Sequence, residues 1–179
     1  HDGLMGTQVP ISVGYALGAG KNCLAVAGDA ASEEDYVISA LGYAAHKKAP
    51  VLFVGMDNNL SILTEIKVRR NWKMAELAKA FGMPVIEIVD DPWTIMHYVQ
   101  ELSPKLPVYF NVQVVRHLWH SGTGTDGPPE WDRYMLVKEE LQRIDLGSEA
   151  EKIENEAKSF MEKLWQARRK IQQESGVLI

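Results

Sequence analysis

Cys23-Leu24-Ala25-Val26-Ala27 is an apolar run that ends in Gly28-Asp29-Ala30-Ala31-Ser32, and a second run, Val51-Leu52-Phe53-Val54, leads to Asp57-Asn58-Asn59. Both runs have the length and composition of buried strands. Between them Tyr36, Val37, Ala40, Leu41, Ala44 and Ala45 recur at helical spacing, and Pro50 closes the connection. The unit reads as strand, helix, strand. Strands joined by one crossover helix run parallel, so Asp29 and Asn58, 29 positions apart, come to the same edge of the sheet. Open α/β sheets bind their ligands at that edge. A carboxylate, an amide oxygen and a turn carbonyl are donors that Mg²⁺ prefers, with phosphate oxygens and water completing its shell. The helix's first turn, close to Asp29, Glu33, Glu34 and Asp35, exposes backbone N–H groups and a positive dipole end that can receive an anion. Acidic side chains suit that dipole without any ligand, which is the plainer reading. The register of Asn58 with Asp29 favours a split site for a metal and a diphosphate.

The rest of the chain extends the same pattern. Val85-Ile86-Glu87-Ile88-Val89 runs into Asp90-Asp91-Pro92, and Val108 to Val115 runs into Arg116 and His117, so each expected strand ends in polar residues. Trp72, Ala75, Leu77, Ala78 and Phe81 form one helical stripe, which Gly82 ends. Trp93, Ile95, Met96, Val99 and Leu102 form another, which Asp91-Pro92 starts. Both stripes are expected to pack on the sheet. The fold class is α/β, a doubly wound and mostly parallel sheet, over residues 1–147. Residues 148–179 are expected to add an amphipathic helix and tail, striped by Ile153, Ala157, Phe160, Met161, Leu164 and Ala167. Ser148 and Glu151 have the spacing of a capping box at its start.

Three motifs in order resemble the thiamine-diphosphate-dependent enzymes, whose metal motif begins Gly-Asp-Gly and ends about 30 residues later in Asn. The likeness is strongest to the alpha subunit of the decarboxylating component of 2-oxoacid dehydrogenases. Gly3-Leu4-Met5-Gly6-Thr7-Gln8-Val9-Pro10 resembles the segment that precedes that motif, Gly28-Asp29 to Asn58 the motif itself, and Arg116-His117-Leu118-Trp119-His120-Ser121 the late active-site loop. The resemblance implies that Asp29, the Asn58 side chain and the Leu60 carbonyl ligate Mg²⁺. It implies that Gly28, Ala30 and Ala31 offer N–H groups to the diphosphate, and that Met5 props the cofactor in its bent shape. It places His120 beside the reacting carbon, with Arg116 and Ser121 in the same catalytic loop. Imidazole suits such a role because its ordinary pKa lies near neutrality. The loop from Ser121 to Pro129 is rich in turn formers and able to order on cofactor binding. Two residues depart from the family. Ala30 stands where its second Gly belongs, unless that residue is deleted, and Met56 stands where several relatives carry a charge. Ungapped spacing selects Asn58 over Asn59 as the ligand.

The function so implied is oxidative decarboxylation of a 2-oxoacid of pyruvate, branched-chain or acetoin type, with thiamine diphosphate and Mg²⁺ as cofactors. A beta-type subunit would supply the Glu that activates the pyrimidine ring, and a lipoyl-bearing acyltransferase would receive the acyl unit. Related alpha subunits carry a long region ahead of the segment that opens here, so the chain is expected to be truncated or to have an additional chain in place of that region. Two alternatives are a transketolase-like or deoxyxylulose-phosphate-synthase-like half, to which Asp57-Asn58-Asn59-Leu60-Ser61-Ile62 bears some likeness, and a non-catalytic assembly subunit. Composition narrows the classes further. With 179 residues and 46% apolar content the chain can bury a substantial core. A net charge of −5 argues against a nucleic-acid surface. The basic runs Lys67-Val68-Arg69-Arg70 and Arg168-Arg169-Lys170 read as solvated faces. Cys23 is the single cysteine, which excludes a disulfide within the chain and suits a reducing, cytoplasmic setting. No apolar stretch has membrane-spanning length and no signal peptide is visible.

Overall fold

The computed structural model describes residues 3–115 and 128–175. Helix α1 (Gln8–Ala19) leads to strand β1 (Cys23–Gly28), a 3₁₀ turn at Ala31–Glu33 and helix α2 (Asp35–Lys47). Strand β2 (Val51–Asp57) is followed by a small hairpin, β3 (Leu60–Ser61) and β4 (Thr64–Glu65), and then by α3 (Ile66–Arg69) and α4 (Met74–Ala80). Next come β5 (Val85–Val89), α5 (Pro92–Leu102) and β6 (Val108–Gln113). Helices α6 (Arg133–Arg143) and α7 (Gly147–Ser175) close the described chain. It divides into two compact units, His1–Trp131 and Asp132–Ile179.

The first unit is an α/β fold around a four-stranded sheet in the order β1-β2-β6-β5, with every neighbouring pair parallel. Alternation along the strands sends side chains to two faces. Ala25, Ala27, Val51, Phe53 and Tyr109 pack with Val9, Val13 and Ala16 of α1, Val37, Leu41 and Ala44 of α2, and Met74 and Ala78 of α4. On the other face Val108, Phe110 and Val112, with Leu52, Val54, Ile86 and Ile88, pack against Ile95, Tyr98, Val99 and Leu102 of α5. Helices on both faces make the sheet doubly wound. Gly55 makes room for the Tyr109 ring: a β-carbon there would lie 2.1 Å from the Tyr109 hydroxyl oxygen.

Several expectations need correction. Trp72 precedes α4, is 38% exposed and lies under the Arg70 guanidinium at 4.7 Å, so it does not belong to the helical stripe. Trp93 and Met96 lie on α5 but are exposed, because that helix seats Ile95, Val99 and Leu102 on the sheet instead. Strand β6 ends at Gln113, two residues before Val115. In the second unit α7 starts at Gly147, which puts Ser148 in the first turn and not at the cap. There α6 is capped by Asp132, whose carboxylate accepts from the Tyr134 and Met135 N–H groups, and Lys138 of α6 pairs with Glu154 of α7 at 3.1 Å. No helix among the described residues is long and apolar enough to cross a membrane.

Candidate active site

The site forms where β1 and β2 end. Their register sets Gly28 opposite Met56, and the Asp29 N–H donates to the Met56 carbonyl at 3.0 Å, which brings Asp29 beside Asp57. Asp29 is 6% exposed. Burial is the main cause that holds its carboxyl above the ordinary value of 3.8, and the negative charges of Asp57 and Glu33 push the same way. The Ala30 N–H, donating to Oδ1 at 2.6 Å, and the positive charge of Arg69 oppose them. Ala30 is in the right-handed helical region (φ −69°), so its β-carbon costs no backbone strain at the position where the family has Gly.

Asp57, Asn58 and Asn59 turn the chain away from β2. Asp57 Oδ1 accepts from the Asn59 N–H at 2.9 Å and its Oδ2 from Asn111 Nδ2 at 3.4 Å. Asn58 Oδ1 accepts from the Leu60 N–H at 3.2 Å, an Asx turn that fixes the amide just before the hairpin. Asn59 has φ +64°, a conformation that Asn tolerates better than most residues.

The segment ahead of α1 reaches the same corner. Gly6 has φ +84°, and a β-carbon there would lie 2.7 Å from both the Ala31 carbonyl oxygen and Val37 Cγ2. The Tyr36 hydroxyl donates to the Met5 carbonyl, and Gln8 Nε2 donates to the Val26 carbonyl at 2.8 Å. Met5 itself is 59% exposed. Behind the turn, the Ser32 hydroxyl donates to the Gly28 carbonyl at 2.9 Å, and the Tyr109 hydroxyl is hydrogen-bonded to Ser32. Burial raises the pKa of Tyr109, so it stays a neutral phenol.

Sequence reasoning missed the cations. Arg69 and Arg70, expected on a solvated face, have side chains only 14% and 5% exposed. Arg69 Nη2 lies 3.3 Å from Asp29 Oδ2 and its Nη1 2.6 Å from Glu33 Oε1, which Arg70 Nε also reaches at 2.8 Å. Arg69 Nε is buried without a hydrogen-bond partner among the described residues. Nothing local marks these arginines in the sequence, because the β3–β4 hairpin that carries them back to β1 is set by tertiary structure.

The structure thus brings Met5, Gly28, Asp29, Ala30, Ala31, Asn58 and Leu60 to one end of the sheet. Arg116, His120 and Ser121 lie outside the described residues. The donor set fits Mg²⁺ by chemistry: a buried carboxylate, a second carboxylate beside it, and amide and carbonyl oxygens. Carboxylates alone do not make the site, since no group of three or more His, Cys, Asp or Glu is poised for a metal among the described residues. Arg69 now supplies the positive charge beside Asp29.

A family model described as "Dehydrogenase E1 component" matches residues 1–102. No curated protein matches the sequence significantly. Among solved structures, transketolase from Leishmania mexicana is similar with a TM-score of 0.59 and 20% identity over 69% of this chain and 22% of that one. Transketolase from Campylobacter jejuni subsp. jejuni NCTC 11168 gives 0.58 and 20% over 63% and 20%, and a transketolase mutant from Pichia stipitis gives 0.58 and 20% over 70% and 22%. The chain spans about a fifth of the length of these transketolases, and at such identity the likeness concerns the fold.

Proposed function

The chain belongs to the dehydrogenase E1 component family, and on that premise we propose that it holds the diphosphate and Mg²⁺ of thiamine diphosphate in the oxidative decarboxylation of a 2-oxoacid. The observation that carries this reading is Asp29, a carboxylate buried at the carboxyl end of a parallel strand, whose pKa burial raises and which a nearby positive charge stabilises in its ionised form. In this reading Asp29, the Asn58 amide oxygen and the Leu60 carbonyl hold Mg²⁺. Gly28, Ala30 and Ala31 offer N–H groups to the diphosphate, the Ala30 group leaving Asp29 to do so. Met5 supports the cofactor's bent shape. Thiamine diphosphate, when bound, supplies the electron sink that decarboxylation requires. His120 orients the 2-oxoacid and donates or accepts a proton, and Arg116 and Ser121 position it.

The pyrimidine-activating Glu comes from a beta-type subunit in this scheme, and a lipoyl-bearing acyltransferase takes the acyl unit. The test is decarboxylation of pyruvate and branched-chain oxoacids, and C–C cleavage of acetoin, with thiamine diphosphate and Mg²⁺, first by the isolated chain and then with co-purified partners. Turnover is expected only in the second case. His120→Ala then lowers it by roughly 10²–10⁴-fold, the range for a positioned acid or base, with cofactor affinity changed less. Full turnover by the isolated chain contradicts the split site.

One observation favours a second reading. Arg69 already neutralises Asp29, as it would in a non-catalytic assembly subunit that has given up the metal. Magnesium-dependent cofactor binding separates the two readings. The transketolase-like alternative draws no support from the solved structures, whose likeness is one of fold.

A further inference from the structure

Helix α7 carries a pattern unrelated to the site. From Leu146 onward, positions spaced alternately four and three apart are all apolar: Ala150, Ile153, Ala157 and Phe160, then Leu164, Ala167 and Ile171. This is the a/d repeat of a coiled coil, sustained for more than three heptads. Its large members are bare, with Ile153 and Phe160 each 60% exposed, Leu164 48% and Ile171 54%. Helix α6 does not cover them. It meets α7 on a different flank, where Lys138 bonds to Glu154. Helices owe most of their stability to packing of an amphipathic face, and along about 27 Å of this one, from Ile153 to Ile171, that face is bare.

We propose that the stripe is covered by α7 of a second copy of the chain, running antiparallel. Charge decides the direction. The g positions, which flank the stripe on the side away from α6, are Glu149, Glu156, Lys163 and Lys170, acidic in the first half of the helix and basic in the second. Antiparallel helices set g against g, so Glu149 meets Lys170 of the second copy and Glu156 meets its Lys163, each pair made twice by the two-fold axis. A parallel pair sets g against the e position five residues on, which opposes Glu149 to Glu154 and Lys163 to Arg168. Two like-charge pairs then face each other on each side, while Glu156 and Lys170 meet the uncharged Met161 and Ser175, so no attractive pair forms along that seam.

Side-chain volume agrees with the antiparallel register. It layers Leu146 on Ile171, Ala150 on Ala167 and Ile153 on Leu164, and at the centre places the Phe160 ring over Ala157, where a small partner leaves room for it. The flanking charges are available. Glu156 and Lys170 now pair on their own helix with Lys152 at 4.0 Å and Glu174 at 3.9 Å, at the limit of an ion pair and with side chains 67% and 78% exposed.

Sedimentation equilibrium of the whole chain tests the proposal, with far-ultraviolet circular dichroism to verify that α7 is folded. The wild type is expected to dimerise. The double variants K163E/K170E and E149K/E156K, each with one sign along its g flank, are expected to dissociate at least about tenfold more readily. An equimolar mixture of the two restores a one-to-one dimer, which a general loss of structure cannot do. Leu164→Gln weakens the dimer through the core whatever the charges. A wild type that stays monomeric at high concentration with α7 folded overturns the proposal. So does a dimer indifferent to all three variants, a mixture that fails to restore association, or a stripe occupied by a different chain in a complex that L164Q dissolves.

Discussion

Gly6 presses the segment ahead of α1 onto the turn that carries Asp29. Its φ of +84° disfavours any side chain, and an added β-carbon would strike the Ala31 carbonyl, which is backbone and cannot swing aside. Gly6→Ala is expected to destabilise the fold by about 2–4 kcal/mol, combining backbone strain with overpacking, and to lower the denaturant midpoint accordingly. Arg69 gives a second residue-scale expectation. Its guanidinium is the cation that Asp29 now has, so Arg69→Ala should lower the melting temperature of the metal-free chain and enlarge the rise produced by Mg²⁺. The pH dependence has a definite sign. Because the folded state holds the Asp29 proton more tightly than the unfolded chain does, acidification from the raised pKa toward 3.8 adds stability to the metal-free form. Mg²⁺ needs the carboxylate, so its stabilising increment falls over the same window. Equal increments in wild type and variant would show that Arg69 and the metal do not compete. Of this site, Asp29 and Asn58 were legible because strand ends and parallel topology dictate where they meet. Glu33, Arg69, Arg70 and Tyr109 were not. They join through contacts between segments distant in sequence, and no spacing rule encodes those.

At the scale of elements, β1, α2, β2, β5 and α5 stand close to where apolar period and turn residues put them. Helix α1 and the β3–β4 hairpin did not announce themselves, since α1 mixes glycines with apolar residues on several sides and each hairpin strand has two residues. Trp72 misled because it fits the α4 period but is drawn off by Arg70. In the α6–α7 pair, Glu154 accepts from Lys158, Lys138 and Tyr134, which depress its pKa from 4.5 to about 2. A depressed carboxylate stabilises the fold above its unfolded pKa, and that contribution disappears as pH falls from 4.5 toward 2. Glu154→Gln should therefore weaken the pairing of α6 with α7 at neutral pH and remove its acid sensitivity in that window. Hydrogen exchange of the α6 amides reads this directly. Exchange that is equal in variant and wild type at both pH values would assign the pair's stability to its apolar contacts.

For the whole molecule, the first unit is a sheet whose carboxyl-terminal edge, where the proposed site lies, is assembled while apolar residues around it are exposed. Leu24, Val26 and Met56 on the β1 and β2 face that α5 leaves uncovered are exposed, as are Leu4, Met5, Ile11 and Tyr15 along the entry to α1. Apolar exposure on this scale supports the proposal that partner chains close the site. The central claim is narrower than any assembly: Asp29 anchors a magnesium-dependent thiamine diphosphate site. Calorimetric titration of thiamine diphosphate into the chain with its co-purified partners, with and without Mg²⁺ and with Asp29→Ala beside wild type, tests it most directly. The account predicts saturable binding by wild type that requires Mg²⁺ and is abolished in the variant, whose fold is intact by circular dichroism. Undiminished affinity in Asp29→Ala, or wild-type binding indifferent to Mg²⁺, would contradict it.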